Sequence, residues 1–162
     1  MSSIQPAAYS RPHVILHWVI AALVLFQLIF GEAIGDMGHA LRDGRPLSTT
    51  DIVMGNAHIV VGVSILVLTL WRLFLRVKQG VPAPLPAPAL QELAAKWTHA
   101  LFYVLLIVTP LTGLAAWYLG MHLAGEVHEL MKPVFIILIV LHVAAAGWHQ
   151  FVLKDGLLKR MI

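Results

Sequence analysis

Four long apolar runs, separated by short polar or proline-rich stretches, are the main pattern of this chain. They cover about residues 14–34, 52–75, 97–119 and 127–153. Each holds roughly 20 residues or more, and a helix of that length, at ~1.5 Å of rise per residue, crosses ~30 Å of hydrocarbon. Helices are favoured because lipid offers no partner to backbone polar groups, and the alternation of a membrane barrel is missing. The pattern predicts an all-α fold, an integral membrane four-helix bundle forming a single domain over residues 1–162.

The composition supports this interpretation and excludes several classes of protein. Of the 162 residues, 59% are hydrophobic and 12% charged, too few charges for a soluble domain of this size. The basic residues are scattered around the apolar runs, so nucleic acid is not an expected partner, whereas membrane lipid is. The chain has no cysteine, which excludes iron–sulfur clusters, covalently attached haem and thiolate metal sites.

The segments between the runs indicate how the bundle is oriented. The first connection, from Asp36 to Asp51, is predicted to be a polar loop. In the second, the alternating prolines of residues 81–88 favour a stiff polyproline-like spacer. The third, from Gly120 to Gly125, is short. Most basic residues flank the two termini and the proline-rich connection, and most acids flank the other loops. By the positive-inside rule both termini are expected in the cytoplasm.

Histidines within the apolar runs are the candidate chemistry, because ionisable residues inside membrane spans are usually functional. The chain has nine histidines. His128 and His142 are 14 residues apart, which on a helix leaves them about 40° apart in azimuth and about 21 Å apart along the axis. His17 and His58 lie near the starts of two antiparallel helices, one at each membrane face. The expected pairs are His17 with His142 and His58 with His128, two bis-histidine sites suited to two haems.

Other interpretations of these histidines remain open on spacing alone. His13 and His149 share helix faces with His17 and His142 and could replace them. His99 could be a residue near a ligand or near a quinone. A membrane histidine can also serve only to hydrogen-bond across helices, and zinc is disfavoured because no carboxylate or cysteine joins these residues at ligand spacing.

Several motifs together resemble the bacterial cytochrome b561 family of four-helix di-haem membrane cytochromes. The resemblance covers nearly the whole chain and rests on the order and spacing of several pieces. They are Tyr9-Ser10-Arg11 with His17-Trp18, His58 with Gly62–Leu68 and Arg72, Thr98-His99 to Tyr103 with Pro110 and Gly113-Leu114, Leu141-His142 to Ala146, and Lys154-Asp155 to Met161.

This resemblance implies a function and a set of site residues. The axial ligands of two haems b would be His17, His58, His128 and His142, in a protein that carries electrons between a periplasmic donor, such as superoxide, and ubiquinone. It would be a multi-pass protein of the bacterial inner membrane and an oxidoreductase.

Three further residue sets complete the expectations. Pro133, five residues after His128, is expected to kink the fourth helix and to perturb the outer site. Arg42, Arg45 and Lys132 could form a positive outer surface for an anionic donor. The candidates for a quinone site near the cytoplasmic face are His149, Lys154, Trp71 and Arg72.

Two other functional classes remain as alternatives. One is a haem-bearing electron-transfer or anchor subunit of a partner dehydrogenase, with no substrate of its own. The other is a non-redox transporter, although inverted repeats and broken helices are not evident.

Overall fold

The computed structural model describes residues 8–162, and every regular element in this range is a helix, without strands. The fold class predicted from the hydrophobic pattern is therefore confirmed. The α-helices are α1 (Arg11–Phe30), α2 (Ala33–Arg42), α3 (Thr49–Gln79), α4 (Ala89–Leu119) and α5 (His122–Trp148), and α5 continues into a π-helical turn (His149–Leu153) and a short 3-10 turn (Leu158–Met161).

Local sequence signals explain where the helices begin and end. Pro12 occupies the first turn of α1, where its missing N–H costs nothing. Ser48 caps α3 in a reciprocal capping box: its hydroxyl accepts from the Asp51 N–H (3.1 Å), and its own N–H donates to the Asp51 carboxylate (3.0 Å). Gly120 ends α4 with a φ of 65°, a left-handed conformation that glycine adopts without strain.

The first connection differs from the polar loop expected between Asp36 and Asp51. It contains the ten-residue helix α2, whose buried residues include Met37 and Ala40. A Cβ on Gly55 of α3 would lie only 2.7 Å from the Met37 sulfur, so the glycine allows α2 to pack closely on α3. The glycines and charged residues of this segment do not predict a helix. Its helical state depends on packing against α3, which the local sequence does not show.

The four long helices form the bundle, and each is long and apolar enough to cross a membrane. Helix α3 packs against both α1 and α4, and α4 packs against α5. Large apolar side chains such as Val60, Leu90 and Phe151 point outwards, as lipid-facing residues do. The buried core is one cluster drawn from all four helices: Ile20, Val24, Ile65, Leu105, Leu106, Phe135 and Leu138.

Three hydrogen bonds bring the two ends of the described chain and the proline-rich connection to one end of the bundle. The Trp18 indole N–H donates to the Met161 carbonyl (2.6 Å), and the Arg160 guanidinium donates to the Ala83 carbonyl (2.7 Å). The Ser10 hydroxyl donates to the Gln79 side-chain oxygen (2.6 Å). These segments therefore share one face of the membrane, and its assignment to the cytoplasm stays a prediction.

Candidate functional site

One pair of histidine rings lies near the end of the bundle where the termini meet. His17 of α1 and His142 of α5 have ring centroids 6.3 Å apart, with their planes inclined by 59°. Phe102 of α4 packs its ring edge-on against His142 at 5.4 Å, and the ring of His99 lies 5.9 Å from His142. The helices thus bring together the predicted inner pair and add His99 beside it.

A second pair lies toward the opposite end of the bundle. His58 of α3 and His128 of α5 have ring centroids 5.9 Å apart, inclined by 71°. The Nδ1 of His128 is 2.8 Å from the Thr109 carbonyl oxygen of α4. Since a carbonyl only accepts, Nδ1 carries the proton and Nε2 keeps its lone pair for a metal. Helix α5 runs through Pro133 without ending, so His128 lies on the helix.

The spacing within each pair fits two imidazoles bound to opposite sides of one metal ion. With metal–nitrogen bonds of about 2.0 Å, and about 1.1 Å from each nitrogen to its ring centre, the centroids would be roughly 6.2 Å apart. Within residues 8–162, no three histidine or acidic side chains gather into a metal-binding group. Paired ligands with no third protein ligand suit an iron whose other positions are filled by a porphyrin.

Glycines provide room beside the outer pair. A Cβ on Gly113 of α4 would lie 2.8 Å from Cε1 and 2.9 Å from Nδ1 of His128, closer than side chains tolerate. A Cβ on Gly31 would lie 3.4 Å from the His58 ring, whose buried Nδ1 has no hydrogen-bond partner among the residues that the structure describes. The unpartnered ring nitrogen of His58 and the close fit of Gly113 against His128 both agree with two histidines that hold a metal-containing cofactor.

The alternative ligands predicted from spacing have different surroundings. His13 is buried, with 1% of its surface exposed, and its ring stacks on Tyr9 at 4.9 Å. His149 lies in the π-helical turn, and its Nδ1 is 2.5 Å from an Asp155 carboxylate oxygen. Among the described residues neither ring faces another histidine as the two pairs do, so the geometry favours His17 and His142.

The quinone candidates divide into two groups. His149 and Lys154 lie at the end of α5, where an open cleft of about 360 Å³ is lined by Gln150, Phe151, Lys154, Gly156 and Lys159. On α3, Trp71 is 52% exposed, while Arg72 donates to the Tyr103 hydroxyl of α4 (3.0 Å). No hydrogen bond or ring contact in residues 8–162 joins the two groups.

Asp155 is held as a carboxylate beside His149. The hydrogen bond with His149 is the main cause that holds the pKa of Asp155 below its usual range. A second hydrogen bond, from the Leu157 N–H (3.0 Å), acts in the same direction. The ionised carboxylate therefore orients the imidazole of His149, the residue before Gln150 of the cleft lining. The sequence motif includes Asp155 but does not predict its contact with His149. That contact depends on a turn in which Lys154 adopts a left-handed backbone conformation (φ 53°).

Acids partly neutralise the cations expected to form a positive outer surface. Lys132 donates to the Glu32 carboxylate (2.6 Å), and Arg45 pairs with Asp43 (3.2 Å). Arg42 donates to His39 (2.8 Å) and has no carboxylate within 4.0 Å among the described residues. The outer surface therefore presents little net positive charge.

Comparison with known proteins places this architecture in a family. The family model described as prokaryotic cytochrome b561 matches residues 8–162. Cytochrome b562 of Cereibacter sphaeroides is 37% identical over 159 residues, covering 98% of this chain and 97% of that protein. Cytochrome b561 homolog 1 of Escherichia coli is 28% identical over 177 aligned positions, which cover 95% of this chain and 96% of the relative.

A third relative has a name that states an activity. The probable superoxide oxidase CybB of Yersinia pestis is 29% identical over 177 aligned positions, covering 95% of each chain. The family match, the four spans and the absence of cysteine agree with a haem held by non-covalent ligands. The chain belongs to the prokaryotic cytochrome b561 family and is a multi-pass membrane haem cytochrome of electron transfer.

Proposed function

We propose that this cytochrome holds two haems b, one between His17 and His142 and one between His58 and His128. It would carry electrons across the bacterial inner membrane, from a donor on the outer face to ubiquinone near the cytoplasmic face. The observation that carries the proposal is the presence of two matched histidine pairs at two depths, with His128 and His142 on one helix.

The protein would serve mainly to hold and insulate the redox groups. When bound, the haem irons supply the one-electron chemistry. The two histidine pairs would hold the haems inside the bundle, so donor and acceptor would meet the protein at its surface and not at the metal. His128 is fixed in one tautomer by Thr109, and the apolar core between the pairs, which includes Phe135 and Leu138 of α5, excludes water from the path.

The quinone would meet the protein at the cleft beside His149. Quinone reduction consumes protons, and a histidine can hold or release one near neutral pH. His149 would donate to a quinone carbonyl while Asp155 orients its ring, and Lys154 would line the same cleft. Trp71 remains a candidate for the apolar wall of this site. Arg72 faces the bundle interior, and a different role is proposed for it below.

Superoxide is the donor that the relative's name supports. The charges on the outer face would affect how strongly this anion is attracted to the protein. Because Lys132 and Arg45 are paired with acids, electrostatic steering of an anion would depend mainly on Arg42. The rate of reduction by superoxide is therefore expected to fall only modestly between low and physiological salt.

Haem quantification of the detergent-purified chain tests the proposal first. A reduced-minus-oxidised spectrum with pyridine-haemochrome analysis should give two b-type haems per chain, and stopped-flow mixing with superoxide and a soluble quinone should show turnover. Two haems without turnover would favour the subunit of a partner dehydrogenase over a self-sufficient oxidoreductase. One haem per chain would refute the two-site scheme.

A further inference from the structure

A cluster of cations without acids lies inside the bundle beside the inner histidine pair. Arg72 and Arg76 are one helical turn apart on α3, and both guanidinium groups lie over the Tyr103 ring of α4, at 5.7 and 5.9 Å from its centroid. Both arginines are only partly exposed. Like charges four residues apart on a helix destabilise it, so this arrangement calls for a compensating anion.

The described residues do not supply that anion. Their ion pairs involve Arg45, His122, Lys132 and His149, and none includes Arg72 or Arg76. Among residues 8–162, the only side-chain hydrogen bond of Arg72 goes to the neutral Tyr103 hydroxyl (3.0 Å), and its buried Nε has no partner there. An arginine within a membrane span is costly unless a carboxylate, carbonyl or phosphate pairs with it.

His13 points to the same missing partner independently. Only 1% of the His13 surface is exposed, and its Nε2 has no hydrogen-bond partner within the described part of the chain. Tyr103, which lies under both guanidinium groups, follows Phe102, whose ring packs on His142. His13 lies one turn before His17 on α1. The cluster therefore borders the space between the inner ligands.

We propose that Arg72 and Arg76, with His13 and Tyr103, bind the carboxylates of the porphyrin held by His17 and His142. The inference rests on the proposed haem function. A haem b carries two propionate groups, and two guanidinium groups match them in charge. Arginine is suited to carboxylates because its planar fork donates two parallel hydrogen bonds. The cluster would fix the rotation of the porphyrin about the iron and raise the potential of the inner haem.

The test combines a change in the protein with a change in the porphyrin. Arg72→Gln is compared with Lys78→Gln, which removes the same charge from an exposed site on the same helix. Protein expressed under haem limitation is reconstituted with haem b or with its propionate dimethyl ester. The readouts are affinity for the inner site and the midpoint potential of the inner haem, identified by the absorption band that His142→Ala removes.

The proposal predicts a non-additive result. Arg72→Gln should weaken binding of haem b at the inner site roughly ten- to hundredfold and lower its potential, because removal of a nearby positive charge disfavours the reduced iron. Lys78→Gln should do neither, and the outer haem should keep its potential. With the dimethyl ester, Arg72→Gln should have no further effect on affinity.

Two outcomes would overturn the assignment. If Arg72→Gln weakens binding of the ester as much as that of haem b, the arginine meets another anion, such as a phospholipid headgroup. If both haems bind and the potential does not move, Arg72 does not contact the porphyrin. Failure of the proposed function itself is distinguishable, since the unaltered protein would then bind fewer than two haems.

Discussion

Gly113→Ala should disrupt the outer haem site without unfolding the bundle. The added Cβ would lie 2.8 Å from His128 Cε1, whereas ordinary contacts begin at 3.4 Å, so the ring must retreat by about 0.6 Å (3.4 − 2.8). Metal and catalytic sites tolerate displacements of only about 0.5 Å. Overpacking of this kind costs about 1–3 kcal/mol, equivalent to a roughly 5- to 150-fold loss of haem affinity if it falls entirely on ligation.

The assay is haem stoichiometry together with redox titration. Gly113→Ala should retain close to one haem per chain, and the remaining haem should have the properties of the inner site. Gly147→Ala is the matched control, because a Cβ at that position of α5 meets nothing within 4 Å. A Gly113→Ala protein with two haems and unchanged potentials would refute the reasoning, since it would show that His128 does not have to hold its observed position.

Four further predictions concern the inner ligand, the quinone cleft and the outer ion pair. His142→Ala should lose the inner haem in the pyridine-haemochrome assay. His149→Ala should keep both haems and lose quinone reduction. Full quinone reduction by His149→Ala would show that His149 is not part of the quinone site. Asp155→Asn should also keep both haems and slow quinone reduction in stopped-flow traces, because the imidazole loses its orienting carboxylate; an unchanged rate would argue against that role. The hydrogen bond from Lys132 holds the pKa of Glu32 below its usual range, so the pair stabilises the fold at neutral pH, and this contribution disappears as the pH falls through the lowered value. Glu32→Gln should therefore lower the melting temperature at pH 7 and leave it unchanged in strong acid, and an equal difference at both pH values would contradict this account.

The main architecture was predictable from sequence because it depends on local, one-dimensional properties. A run of about 20 apolar residues must be helical wherever lipid surrounds it, since the helix satisfies its own backbone. The closeness of the two histidine pairs was also predictable, because helical periodicity places His128 and His142 on one face of α5. Helix α2 was missed because its stability comes from packing on α3, where Met37 lies against Gly55.

What the tertiary structure decided is how side chains from different helices meet. The Thr109 carbonyl that orients His128, the fit of Gly113 against that ring and the return of Asp155 to His149 all depend on distances between segments. The sequence suggested Arg72 for a quinone site, and the packing of α3 on α4 places its guanidinium group against the Tyr103 hydroxyl. Periodicity assigns a residue to a helix face, but only the packing of the helices determines which groups that face contacts.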